Sequence, residues 1–116
     1  MIRILVLVLL SGCTFSAPIA ENVTVEEATT LVARPDMVVL DVRTDEEFTA
    51  GHIAGAIQLD FYAADFAAQL DQLDRKTPYL IYCGSGKRSG KTLEQMHDLG
   101  FQEVYNMYAG FPAWHS

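Results

Sequence analysis

Residues 78–100 read PYLIYCGSGKRSGKTLEQMHDLG, and their order decides what kind of domain this is. PYLIYC, Pro78 to Cys83, is a short apolar run that predicts a buried strand. Ser89 to Leu99 predicts a helix, with Leu93, Met96 and Leu99 apolar at helical spacing and Gly100 as its stop. The nine residues after Cys83, which cover the connecting loop and the start of that helix, hold three glycines, two serines and three positive charges. A buried strand that turns through glycines into a helix is the building block of an α/β fold.

The same alternation extends in both directions. Toward the amino terminus, NVTVEEATTLVARPD (22–36) opens with a capping box, Thr24 to Glu27, and predicts a helix that ends before Pro35. MVVLDV (37–42) predicts a buried strand. RTDEEFTAGHIAGA (43–56) carries a second capping box, Thr44 to Glu47, and predicts a short helix stopped near Gly51. AIQLD (56–60) predicts a strand, and DFAAQLDQL (65–73) a helix with Phe66, Leu70 and Leu73 on one face. Toward the carboxyl terminus, FQEVYNM (101–107) supplies a last strand. The expected architecture is a small α/β domain with a mainly parallel central sheet flanked by helices. Sites in such sheets lie at the carboxyl ends of strands, which singles out Asp41-Val42-Arg43 and Cys83 to Ser89.

The chain has 116 residues, half of them apolar and a fifth charged, enough for one domain with a core. Its formal net charge of −7 argues against nucleic acid as a partner and makes the cluster Lys87, Arg88, Lys91 conspicuous. The first twelve residues, MIRILVLVLLSG, stand apart: Arg3, then an apolar run from Ile4 to Leu10 with the length of a secretory signal core. The run is too short to span a bilayer. It ends in LSGC (10–13), which resembles the lipobox of bacterial lipoproteins and implies lipid on Cys13. The expected layout is a lipoprotein signal peptide over 1–12, a tether over 13–21 and the domain over 22–116. Losing Arg3 takes the charge from −7 to −8. This places the protein on the periplasmic side of the envelope, attached to the membrane through its N-terminal lipid. Thr14 in place of an aspartate favours the outer membrane. Two alternatives stay open: ordinary signal cleavage near FSAPIA (15–20), giving a soluble periplasmic protein, and a soluble protein whose first strand is apolar. With Cys13 lipidated, Cys83 is a lone thiol in an oxidising compartment.

The loop CGSGKRS has a definite physical capacity. Its glycines permit left-handed turns and close approach, so successive N–H groups can curl into an anion-binding nest. The helix dipole, Lys87 and Arg88 add positive potential. A cysteine facing that nest has its thiolate stabilised, and thiolate is the nucleophilic form. A nucleotide P-loop shares the ending Gly90-Lys91-Thr92, but its first glycine would have to stand at Ser85. Only 24 residues follow Thr92, too few for the usual remaining strands. A cysteine phosphatase or arsenate-reductase loop needs its arginine at 89, which is serine. Arg88 makes the loop one residue shorter and the bowl smaller. No acid loop accompanies it for a leaving alcohol.

Three stretches together resemble the rhodanese family, from about Asn22 to Trp114. VVLDVRTDEEFTAGHIAGAIQL resembles its N-terminal signature, with Asp41, Arg43, Glu47, Phe48, Gly51, His52, Ile53, Gly55 and Ala56 in place. LIYCGSGKRSG resembles its six-residue active-site loop, Cys83 to Arg88, and YNMYAGFPAWHS its C-terminal signature, with Gly110 and Trp114. The resemblance implies sulfur transfer: Cys83 takes the outer sulfur of thiosulfate or a similar donor as a persulfide and yields it to cyanide or a thiol. It implies that the N–H groups of Gly84, Ser85, Gly86, Lys87, Arg88 and Ser89 surround the sulfur. Arg88 with Lys87 then draws in a small anionic donor, with no cofactor and no metal. Gly84 stands where relatives carry a larger residue, which predicts a more open mouth.

Asp41 and Arg43 read either as the site rim or as a buried ion pair, with Glu47 as a candidate third member, that holds the strand end. His52 is expected in a structural role and Trp114 as a packing anchor. Tyr62, Tyr105 and Tyr108 are assigned to core or rim, and His97 and His115 show no ligand spacing. The competing function class is a non-catalytic rhodanese-like binding module. Retention of both Cys83 and Arg88 counts against it.

Overall fold

The apolar runs at the centre of the sequence form the centre of the sheet. The computed structural model describes residues 17–115. Over these the elements are β1 (Ile19–Val23), α1 (Val25–Val32), β2 (Val38–Asp41), α2 (Asp45–Ala50), β3 (Ile57–Gln58), α3 (Phe66–Asp71), β4 (Tyr79–Tyr82), α4 (Lys87–Asp98), β5 (Glu103–Met107) and a 3₁₀ turn at Phe111–Ala113. The strands build one five-stranded sheet in the order β1-β5-β4-β2-β3. Every pairing is parallel, so each connection crosses a face of the sheet.

Alternation along the strands divides the core in two. Tyr79, Ile81 and Cys83 join Leu40, Val42, Phe66, Leu70, Leu93 and Met96 on the α3/α4 face. Leu80 and Tyr82 join Val39, Ala28, Ile53 and Met107 on the opposite face. Both capping boxes close as read. Thr24 and Glu27 start α1, and Thr44 and Glu47 start α2.

Several boundaries differ from expectation; β3, for one, spans Ile57–Gln58 where a strand over 56–60 was expected. The tether expected over 13–21 is shorter at its carboxyl end, because Ile19–Glu21 are strand, paired to Glu103–Tyr105 of β5. Their mixed composition, Ile-Ala-Glu, carries no strand period; the free edge of β5 supplies what the local pattern lacks. Helix α4 begins at Lys87, two residues before Ser89, because Gly86 takes a left-handed conformation (φ 87°, ψ −9°) that turns the chain straight into it. Leu99 is 37% exposed, outside the core that holds Leu93 and Met96. The signal segment and Cys13 lie outside the described residues.

Candidate active site

Cys83 follows the last residue of β4, at the carboxyl edge of the sheet. It is a free thiol with no exposed surface. The helix that starts beyond it has a glycine at its N-cap, with no side chain to accept the first N–H groups. The cysteine sulfur lies against this turn and accepts from the N-cap residue's own N–H and from a side chain of the first helical turn. Gly86 N–H donates to Sγ at 3.1 Å, and the Ser89 hydroxyl donates at 3.3 Å. Burial pushes the Cys83 thiol up, but the Ser89 hydroxyl and the backbone N–H groups of Ser89, Ser85 and Gly86 outweigh it. The thiol sits below its ordinary value. The sulfur is therefore held against the helix start, in the setting that favours its anion.

Ser89 is fully buried, so its hydroxyl has no water to serve instead. We expect Ser89→Ala to raise the Cys83 pKa and to move the acid limb of the pH–reactivity profile to higher pH. The rate of Cys83 alkylation against pH measures this; a profile that stays in place, or moves down, overturns it.

The backbone of the loop is braced from the carboxyl terminus. Phe111 N–H donates to the Cys83 carbonyl at 2.9 Å. A Cβ at Gly86 would collide with the Tyr108 carbonyl, and one at Gly110 (φ 84°) with the Gly84 carbonyl. The C-terminal signature and the cysteine loop are thus two halves of one packed unit.

Arg88 lies in the first turn of α4, where side chains lean back toward the helix start. Its guanidinium makes a two-pronged pair with Glu47, Nη1 to Oε1 at 2.7 Å and Nη2 to Oε2 at 3.0 Å. The Arg88 bond holds the Glu47 carboxyl down at about 2, with Thr44 helping. Arg88 is raised above its usual range chiefly by Glu47, with smaller contributions from the Cys83 and Tyr62 charges. Lys87 is exposed. Tyr62 is 67% exposed, with its ring centroid 5.7 Å from the Arg88 guanidinium carbon.

The pair occupies the space expected to be open at Gly84. A Cβ there would sit 3.2 Å from Arg88 Nη2 and 3.5 Å from Glu47 Oε2. The missing side chain does not widen the mouth; Arg88 and Glu47 cross over it.

Asp41 and Arg43 sit elsewhere. Their side chains pair at 2.8 Å, buried on the face opposite Cys83 with Tyr82, whose hydroxyl donates to Asp41. Arg43 also donates to the Gly51 carbonyl at 2.6 Å and lies over the Phe111 ring at 4.3 Å. It thereby joins the end of α2 to the C-terminal brace. Glu47 is no part of this pair. His52 stacks on Phe48 and meets the Phe48 carbonyl through Nδ1 at 2.8 Å, away from the thiol. Trp114 packs against the core of the α1 side. Among the described residues, no group of three or more His, Cys, Asp or Glu side chains converges as metal ligands do. A groove lined by Glu21, Val23, Glu27, Thr30, Leu31 and Tyr105 contains none of the loop residues.

Sequence reasoning assigned neither Glu47 nor Tyr62 to the loop. In the sequence Glu47 stood in a capping box and as a candidate partner of Asp41 and Arg43, and its Oε1 does serve Thr44 as well as Arg88.

Comparison with known proteins places these features. A family model described as a rhodanese-like domain matches residues 24–116. Thiosulfate sulfurtransferase GlpE of Coxiella burnetii is 34% identical over 88 residues, 76% of this chain and 80% of the relative. The protein of the same name from Pseudomonas putida is 38% identical over 90 residues, 77% of this chain and 79% of the relative. The crystal structure of a rhodanese-like domain protein from Staphylococcus aureus superposes with a TM-score of 0.71 at 28% identity, covering 83% of this chain and 92% of that one.

Proposed function

We propose that this chain, which belongs to the rhodanese-like domain family, is a sulfurtransferase that carries sulfur as a persulfide on Cys83. The observation that carries the reading is the sulfur itself, set against the start of α4 with N–H and O–H donors aimed at it. Those donors stabilise a thiolate before the reaction and a terminal persulfide sulfur after it, which is electrostatic catalysis by fixed dipoles.

With thiosulfate, the Cys83 thiolate forms a bond to the outer sulfur while the bond from that sulfur to the sulfonate sulfur breaks. Sulfite leaves with the electron pair, and Cys83 holds the persulfide anion. Cyanide then attacks the terminal sulfur and departs as thiocyanate, which returns the thiolate. A thiolate acceptor leaves instead as its own persulfide. No proton donor is required in the thiosulfate step. This suits a loop in which the groups meeting Sγ are a backbone N–H and a serine hydroxyl. The exposed Lys87 gives the mouth its unpaired positive charge for a small anion, while Arg88 is engaged by Glu47.

Mass spectrometry of the purified protein after thiosulfate treatment tests this directly. We expect one added sulfur atom, located on Cys83 and removed by cyanide. An unmodified Cys83 would leave the second reading, a non-catalytic rhodanese-like binding module. The complete burial of Cys83 is the one observation that favours that alternative.

We also propose that the protein works on the periplasmic side of the envelope, anchored by lipid on Cys13, with the outer membrane preferred. The support is the order of Arg3, the apolar run Ile4 to Leu10 and the LSGC box. Palmitate labelling that is lost in Cys13→Ser is the expected result. A mature protein that is unlabelled and soluble would establish ordinary signal cleavage instead.

A further inference from the structure

We propose that Glu47 sets which sulfur donors the Cys83 loop accepts, by competing with the donor's own anionic group for the Arg88 guanidinium. The inference rests on the sulfurtransferase reading and concerns the same site. It makes Glu47 a positioning residue, acting through Arg88 and touching no substrate.

The geometry makes the competition unavoidable. Arg88 is the one cation in the loop that lies partly buried; Lys87 is exposed. Its fork is already filled by a carboxylate in two hydrogen bonds, the geometry that a sulfonate would seek. Glu47 is held in that position from its other side, because Oε1 also accepts from the Thr44 N–H and hydroxyl. It cannot swing away without opening the cap of α2. The pair crosses Gly84, the residue next to the buried sulfur. An anionic donor that approaches Cys83 therefore meets a guanidinium whose charge is matched and a carboxylate that repels it. Asp45 and Glu46, exposed on the same helix turn, deepen the negative potential.

A donor that carries its sulfane sulfur on an organic thiol escapes this penalty. In an organic persulfide, R–S–SH, the Cys83 thiolate bonds to the outer sulfur, the internal S–S bond breaks and RS⁻ leaves. No sulfonate has to be seated. The mouth also offers such a donor a surface, since the Tyr62 ring stands exposed beside Arg88. The donor class that the site favours is an organic persulfide over thiosulfate.

Glu47→Gln tests it, because glutamine preserves the capping box while removing the charge. Two readouts are needed. The first is the ratio of kcat/KM for thiosulfate to that for an alkyl persulfide. We expect Glu47→Gln to raise the ratio about fivefold, mostly through a lower thiosulfate KM, as befits the loss of one partly exposed ion-pair partner. The second needs no turnover: the concentration of inorganic sulfate that half-protects Cys83 from alkylation. We expect it to fall by a similar factor. If the thiosulfate KM and the protecting sulfate concentration stay unchanged or rise, Glu47 serves only to align Arg88 and the inference is overturned. If no donor transfers sulfur in either protein, the sulfurtransferase reading fails. The sulfate measurement then still decides whether Glu47 opposes anions at Arg88. A melting temperature for the variant identifies a simple folding defect, and Glu47→Asp, which keeps the charge, must not reproduce the gain.

Discussion

Replacement of Cys83 by serine will reduce thiocyanate formation from thiosulfate and cyanide to background, a loss of at least about a thousandfold. The size follows from the chemistry. A serine hydroxyl stays protonated where the thiol ionises, and oxygen cannot become a persulfide carrier. The fold should survive the change. In Cys83→Ser the new hydroxyl oxygen would face the same Gly86 N–H that now meets Sγ at 3.1 Å, and serine is close to cysteine in size. A melting temperature within a few degrees of wild type, together with lost activity, is therefore the expected pair of results. Activity retained at about a tenth of wild type or more would remove Cys83 from the mechanism.

Gly86→Ala is expected to be, with Gly110→Ala, among the most damaging single methyl groups in the described residues. Gly86 sits at φ 87°, where an L side chain is strained, at a cost of roughly 1–2 kcal/mol by conformation alone. The added Cβ would also run into the Tyr108 carbonyl, a backbone group that cannot rotate aside. The loop or the C-terminal segment must shift, so we expect about 2–4 kcal/mol of lost stability and loss of most activity, since the donor geometry at Sγ depends on this turn. Gly90→Ala is the control. Gly90 lies in α4, and its Cβ would meet nothing closer than Asn106 Nδ2 at 3.8 Å. Alanine there should stabilise by about 0.5–1 kcal/mol through helix propensity. Chemical denaturation of both variants checks the contrast. Equal effects would mean that the Gly86 turn is not the constraint described.

Much of this molecule was legible one short stretch at a time. The two capping boxes, the apolar runs of β2 and β4 and the spacing of Leu93 and Met96 each report a local interaction, between residues two to four apart. Local physics is the same in any fold that contains the stretch, so these features survive into the structure. The loop was legible for the same reason. Cys83, Gly86 and Ser89 lie within one strand-to-helix turn, although the C-terminal segment braces that turn from outside.

Other features needed the whole chain. Strand β1 has a composition that says little, and it exists because β5 offers it an open edge 84 residues away at the Asn22 and Asn106 pairing. The partition of Asp41 and Arg43 from Cys83 follows from alternation only once β2 and β4 are paired in register, which puts Asp41 opposite Tyr82 and aims both at the α1 side.

The α/β class, the thiol at the strand-to-helix turn and the short Cys-to-Arg loop could be read from the order of residues, because each depends on neighbours along the chain. That Glu47, 41 residues from Arg88, crosses over Gly84 and neutralises the loop's partly buried cation emerged only from the folded arrangement. A carboxylate closing its own helix cap looks the same in sequence whether its second oxygen faces water or a guanidinium. Only the folded position of Glu47 beside Arg88 settles which.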